Sequence, residues 1–523
     1  MKQSLRLSVL REIVLTDFKL RFPRLSTFAV LLLTIGGTFF LIPDPSSGLT
    51  MIMIKGVRAT YSPDTIALGS AMFCTILLTL FGYYIVSHTI RRDIQSGVGL
   101  LLASTPITNT EYLFGKFLGN FALLFSIMAA QMMGSIAMFF LRGEGTFALW
   151  PYLFHFGLIA LPGLVFIAVI ALLFESIKPL SGRGGDILYF FVWVFLLSLI
   201  SQSMESENSW HRFIDSIGLI ALQDIFQNQF GTKSFAVGAV EYKPGTPTVS
   251  YNGFSPEPMF LLSRFTSAIL WIPLLGVALL FFHRFNPELI KSANKANSRN
   301  WFLSINQTLK PVSRALLPSF TLPFPFINGV LQEALLSLHQ HPLVFVLGIG
   351  IWVGAFITSD LETTRHIFPI IAFFGAMPLL ADLPIRDRQA GVLSLLYATP
   401  RTKELYLFRK IFAGQFILSA ILLVPLARLF LFDFQLGFSL FCGIITIVLV
   451  SQSFGILSGN SKLFIVSFLL FIYIVENSPK EPSLDFSGFF GIADFSVPLY
   501  FALGSLLFFI CSFGFFRMQQ HRD

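Results

Sequence analysis

Few residues of this chain could do chemistry, and their spacing brings little of it together. A phosphate-cradling loop needs GxxxxGK[ST], so that backbone N–H groups surround the phosphates and a lysine reaches the outer oxygens. The nearest string, Gly231-Thr232-Lys233-Ser234, lacks that spacing. His339 and His341 bracket Gln340. They read as interfacial side chains with polar tips in water rather than as metal ligands. His155 lies in an apolar run and reads as a hydrogen-bonded core histidine. Neither HExxH nor GxSxG occurs. No catalytic residue, no metal site and no cofactor is expected in the chain, which is read as a non-enzyme.

Polar groups inside apolar runs are functional candidates, because burying them in hydrocarbon is costly. Gln131, Gln415 and Arg428 are the candidates for a substrate path, with His155 and Gln452 as further polar groups. Arg428 is expected to snorkel outward or to pair with Asp433. Lys116 and Lys410 each start a long apolar run and are expected to anchor on lipid headgroups.

These residues sit in an unusually apolar chain. Of 523 residues, 54% are hydrophobic and 12% charged, and the mean hydropathy is +0.74. Average soluble domains carry about 25% charge. The 62 phenylalanines fit a lipid-facing surface better than an aqueous fold, which needs a polar skin. Cys74, Cys442 and Cys511 each lie in apolar stretches and form no CxxC or disulfide framework. Residues 1–25 are basic and read as no cleavable signal peptide.

Apolar runs near the membrane-spanning length fall at about 26–43, 65–88, 117–141, 150–174, 187–204 and 262–284, and again at about 343–358, 367–383, 411–432, 435–457, 462–476 and 497–516. The net charge of +8 lies in short segments between runs, where topology rather than nucleic-acid binding explains it. Arg91, Arg92, Lys178, Arg183, Arg386, Arg388, Lys403 and Lys462 occupy alternate loops, which puts those loops and both termini on the cytoplasmic side of the cell membrane. The stretch 205–261 leans acidic and reads as an extracytoplasmic loop. The proline-rich stretch 285–325 reads as a cytoplasmic linker between a first half, 1–284, and a second, 326–523.

A duplication organises the two halves. Residues 92–116 read RDIQSGVGLLLASTPITNTEYLFGK and residues 386–410 read RDRQAGVLSLLYATPRTKELYLFRK, with 14 of 25 positions identical and no gap. A weaker echo upstream sets Val9-Leu10-Arg11-Glu12 against Val330-Leu331-Gln332-Glu333. The expected fold is all-α and polytopic. It has about 12 transmembrane helices as two parallel six-helix repeats. Val98, Leu101, Leu102 and Thr105 share one helical stripe, as Val392, Leu395, Leu396 and Thr399 do. Arg92, Asp93 and Gln95, with Arg386, Asp387 and Gln389, make the start polar. Thr105-Pro106 and Thr399-Pro400 end each helix, because a residue before proline avoids the α region. The spacing thus predicts one short amphipathic cytoplasmic helix per half, at about 91–106 and 385–400, suited to docking a partner. Before each first run, a further amphipathic helix is expected. Leu10, Ile13, Val14 and Phe18 share a face in one, and Leu331, Ala334, Leu335 and Leu338 in the other.

The duplicated segment resembles the coupling-helix region of ABC-2-type permeases. The pattern falls on Arg92, Asp93, Gly97, Leu101, Leu102, Thr105 and Pro106, and on Arg386, Asp387, Gly391, Leu395, Leu396, Thr399 and Pro400. Two departures stand out. Leu100 and Ser394 occupy a position where the family often has Glu, and two halves are fused in one chain. The resemblance implies an elbow helix and a coupling helix in each half. It also implies a separate cytoplasmic ABC ATPase dimer that carries the ATP and magnesium, and export of a substrate it does not identify. An ion-coupled secondary transporter and a non-transporting membrane scaffold are the alternatives, and neither involves nucleic acid.

Overall fold

Helix signals in the sequence are answered by helix ends in the structure. Ser62 caps a helix that opens on Pro63, and its hydroxyl accepts from the Thr65 N–H at 3.2 Å. Thr108 and Glu111 form a reciprocal capping box before the long helix Asn109–Arg142. Asp433 caps Phe434–Ser458 by accepting from the Gln435 N–H at 2.8 Å. This computed structural model describes residues 6–22, 25–177, 180–203, 209–232, 235–242, 247–282, 324–358, 360–392 and 402–520. The chain divides into two units, Met1–Ala296 and Asn297–Asp523. The linker read at 285–325 falls almost wholly outside the described residues.

In the first unit α1 (Leu7–Arg21) precedes α2 (Leu25–Leu41). Then α3 (Pro63–Leu77) runs through a π turn into α4 (Tyr83–Val86) and, past a left-handed His88, into α5 (Thr89–Gln95). A short α6 (Val98–Ala103) leads to α7 (Asn109–Arg142). Next come α8 (Trp150–His155), a π turn, α9 (Leu161–Ser176), α10 (Arg183–Ser203), α11 (Leu219–Phe230), α12 (Pro258–Ile269) and α13 (Pro273–Phe281). The second unit holds α14 (Pro325–Gln340), α15 (Pro342–Ile357), α16 (Phe368–Asp382), α17 (Arg386–Gln389), α18 (Thr402–Ile421), α19 (Leu423–Phe432), α20 (Phe434–Ser458), α21 (Lys462–Asn477) and α22 (Ser496–Gln520).

The chain is a multi-pass membrane protein. Among the described residues, seven helices are long and apolar enough to cross a bilayer, or nine if each of two bent pairs is one span. The expected run at 411–432 is one of those pairs, bent by 71° between Ile421 and Leu423. The other joins α14 to α15 through a 97° bend at His341-Pro342, where proline cannot continue the preceding helix. The runs expected at 26–43 and 187–204 give shorter apolar helices, Val30–Leu41 and Gly184–Ser198.

Strands form between the runs expected at 26–43 and 65–88 and within the loop expected at 205–261, so the fold is not purely helical. Strands β1 (Leu49–Ile54), β2 (Val57–Arg58) and β3 (Phe235–Glu241) make one antiparallel sheet in the order β2-β1-β3. Lys55 and Gly56, both at positive φ, turn the chain between β1 and β2.

Candidate functional site

Asp93 and Asp387 stand at the same place in the duplicated segment, and each is the centre of a buried charge clamp. In the first unit the Tyr112 hydroxyl donates to Asp93 Oδ2 at 2.8 Å, and Lys116 Nζ lies 2.8 Å from the same oxygen. Tyr112 and Lys116 are four residues apart on α7, so they share a helical face. In the second unit Tyr406 donates to Asp387 Oδ2 at 2.9 Å and Lys410 lies 2.8 Å from it. Both lysine side chains are buried. They are therefore not headgroup anchors.

The helix at the start of each unit closes the clamp with an acid. Asp17 on α1 meets Lys116 at 2.9 Å, Arg92 at 3.2 Å and Arg21 at 2.9 Å. Arg21 also donates to Asn120 Oδ1 at 2.8 Å. Burial pulls its guanidinium below its ordinary pKa, against the pull of Asp17. Glu333 on α14 accepts from Arg386 at 2.5 Å, and Arg386 also donates to Ser337 at 3.2 Å and to Asp387 at 3.1 Å. Burial would raise the Asp387 carboxyl. The Lys410 and Arg386 charges outweigh it and hold the group below its ordinary value.

These contacts set a register the upstream echo missed. Glu333 follows Asp17 by 316 positions, and Ser337 follows Arg21 by the same interval. The echo had matched Glu333 to Glu12, five residues away. A Cβ at Gly115 would lie 2.7 Å from Ile13, and one at Gly329 would lie 2.7 Å from Arg409. Gly329 follows Ile13 by the same 316, and Arg409 follows Gly115 by the 294 of the duplicated segment. The close approach recurs with large and small residues exchanged.

Arginine caps extend the correspondence. Arg142, at the end of α7, donates to the Phe39 carbonyl at 2.9 Å and to that of Ile42, at the C-terminal end of α2. Arg428 on α19 donates to the Thr358 carbonyl at 2.6 Å and to that of Ala355, at the end of α15. A cation satisfies helix-terminal carbonyls and the negative end of the helix dipole. Arg428 thus bonds a helix end rather than Asp433, which caps α20 instead.

The amphipathic helix expected over 91–106 is broken in two. Gly97, at φ 76°, separates α5 from α6, and Gly391 takes φ 70° at the matching position. Only glycine adopts this left-handed backbone without strain. Glu175 on α9 holds the start of α5, accepting from the N–H groups of Thr89 at 2.9 Å and Ile90 at 2.6 Å. Arg92 and Asp93 point into the clamp, whereas Val98, Leu100 and Leu101 are exposed, Leu101 at 69%. Leu102 is half-buried, the Thr105 hydroxyl donates to the Leu102 carbonyl at 2.7 Å, and the exposed Pro106 accepts from Arg6 at 2.7 Å. Gln95 ends α5. In the second copy Gln389, Gly391 and Val392 are exposed. Leu395, Leu396, Thr399 and Pro400 lie outside the described residues.

No family model, curated protein or solved structure matches this chain. Its site is therefore read from its own geometry. Gln131 is buried on α7, and Gln415 is half-buried on α18 with its amide nitrogen unbonded. His341 Nε2 lies 3.1 Å from Asp382. Among the described residues no group of three His, Cys, Asp or Glu side chains is placed to hold a metal. The sequence does not single out the clamp tyrosines or Asp17, and Glu333 stands out only as part of the upstream echo. The Tyr-x-x-x-Lys identity shared by both copies was the signal for the tyrosines.

Proposed function

We propose that this chain is the membrane-spanning permease subunit of an ATP-driven ABC exporter, powered by a separate cytoplasmic ATPase. In this reading the chain has two parallel six-helix repeats, about 12 spans and both termini in the cytoplasm. The ATPase dimer docks on the segments around 91–106 and 385–400. The observation that carries the reading is the recurrence of one clamp, Tyr–Asp–Lys with an Arg and an acid from the unit's first helix, behind the same segment in both units. Amphipathicity alone does not call for such a mount. A surface that receives force does, because a segment fastened to two other helices moves them when it is pushed. Outside the clamp, exposed Val98, Leu100 and Leu101 supply an apolar face for a partner.

Co-expression with the host's ABC ATPases and purification through this chain tests the proposal. The wild-type chain should retain a subunit that hydrolyses ATP. Val98→Asp combined with Val392→Asp, both at exposed positions, should cut retention at least tenfold, a loss of about 1.4 kcal/mol or more. Size-exclusion chromatography confirms that the variant is folded. If no ATP-hydrolysing subunit associates, or the double variant retains it equally, the reading fails.

A further inference from the structure

The opposite end of the first unit's helices carries buried polar atoms that nothing satisfies. His155, at the end of α8, is 1% exposed, and neither ring nitrogen makes a hydrogen bond. The Tyr152 and Tyr251 hydroxyls are buried and equally unbonded. Asp64, in the first turn of α3, places Oδ1 3.5 Å from His155 Nε2, within ion-pair reach but without a hydrogen bond. Its side chain is 22% exposed, and no Lys or Arg among the described residues pairs with it. The Tyr251 ring centroid lies 6.1 Å from that of His155. Burial and the nearby Asp64 carboxylate hold the Tyr251 phenol above its ordinary range.

Neighbouring elements keep these groups together. The loop before α12 presses Gly253 onto Asp64, where a Cβ would meet Oδ1 at 2.7 Å. The π turn Phe156–Ala160 follows His155 directly, and buried Arg264 occupies its loosened backbone by donating to the carbonyls of Leu158 at 2.9 Å and Ile159 at 3.2 Å. Phe254 stacks on His155 with centroids 6.1 Å apart. The same Phe254 lines a cavity of about 200 Å³ with Asn228, Gln229, Glu257 and Phe260. The charged group of that lining is a carboxylate.

We propose that Asp64, His155, Tyr152 and Tyr251 form a binding site for a protonated amine. An ammonium group brings three N–H donors and no acceptor. The site offers an acceptor on each group, a carboxylate, an imidazole nitrogen and two phenol oxygens, and the phenols and imidazole can turn their own N–H and O–H donors elsewhere. A neutral water would bond these atoms but bring no charge to the Asp64 carboxylate. Aromatic faces from Tyr251 and Phe254 add attraction for a cation. The amine could belong to a free solute or to an aminophospholipid headgroup. The chemistry is the same for both, and the proposal is independent of the permease reading.

Thermal unfolding of the purified full-length chain tests it. In detergent, millimolar methylammonium chloride should raise Tm above the effect of equal sodium chloride or tetramethylammonium chloride, which has no N–H donors. In nanodiscs, phosphatidylethanolamine should raise Tm above phosphatidylcholine if the source is a headgroup. A response in either arm supports the site and names its source. Asp64→Asn should weaken methylammonium binding at least tenfold, and Tyr251→Phe about fivefold, with unliganded Tm measured for each to confirm folding. No response in both arms overturns the proposal. So does an equal response to tetramethylammonium or from Asp64→Asn.

Discussion

The two clamps use the same four residue types in the duplicated segment and wire them differently. In the first unit Lys116 bridges two acids, Asp17 and Asp93, while Arg92 binds Asp17 alone. In the second unit Arg386 is the bridge, from Glu333 to Asp387, and Lys410 turns a second donor to the Leu383 carbonyl at 2.6 Å. The first unit adds a third cation, the buried Arg21, where the second has the neutral Ser337. What the two share is Asp with Tyr and Lys. The comparison separates what must be conserved to hold the segment from what can drift. The central carboxylate is fixed, whereas the route from it to the first helix can pass through either cation.

That difference predicts unequal sensitivity. Asp17→Ala leaves three cations without their common acceptor, and breaking a buried pair costs about 3–5 kcal/mol. Glu333→Ala should cost clearly less, because Arg386 keeps Asp387 and Ser337. Denaturant unfolding in detergent measures both, and equal losses would erase the distinction between the two wirings. Tyr112→Phe and Tyr406→Phe should each cost about 1.5–3 kcal/mol, the range for a hydrogen bond to a charged group, and should match one another. A mismatch would show that the shared core is not equivalent. Gly97→Ala and Gly391→Ala, at matching left-handed positions, should each cost about 1–2 kcal/mol. The same measurement would sharpen the comparison if only one position responds.

How much of this was legible beforehand depends on how local the signal was. The capping residues before α3 and α7 and the Thr-Pro stop after α6 are encoded within a turn or two, and the membrane class is encoded in composition. The Tyr-x-x-x-Lys pair and the Asp93 or Asp387 it grips were visible in both copies, but the second acid was not, because it comes from the unit's first helix, Asp17 lying 99 residues before Lys116. The four-residue echo of Glu12 with Glu333 failed for a related reason. Five residues of slip on a helix turn a side chain to another face, and only packing reveals which acid faces the segment. The break at Gly97 was hidden because the apolar stripe reads the same whether the helix is straight or interrupted. Strand β1 was missed as a six-residue apolar run whose partner β3 lies far along the chain.

The exchanged packing of Ile13 on Gly115 and of Arg409 on Gly329 sets a limit on modularity. Each unit has become a lock cut for its own key. A chimera joining the first helix of one unit to the long helix of the other would put Ile13 against Arg409 in one hybrid and glycine against glycine in its reciprocal. One is overfilled and the other leaves a void. The two units are thus not interchangeable at a contact outside the clamp itself, and an exchange of segments between them would be penalised there even where the sequence is most alike.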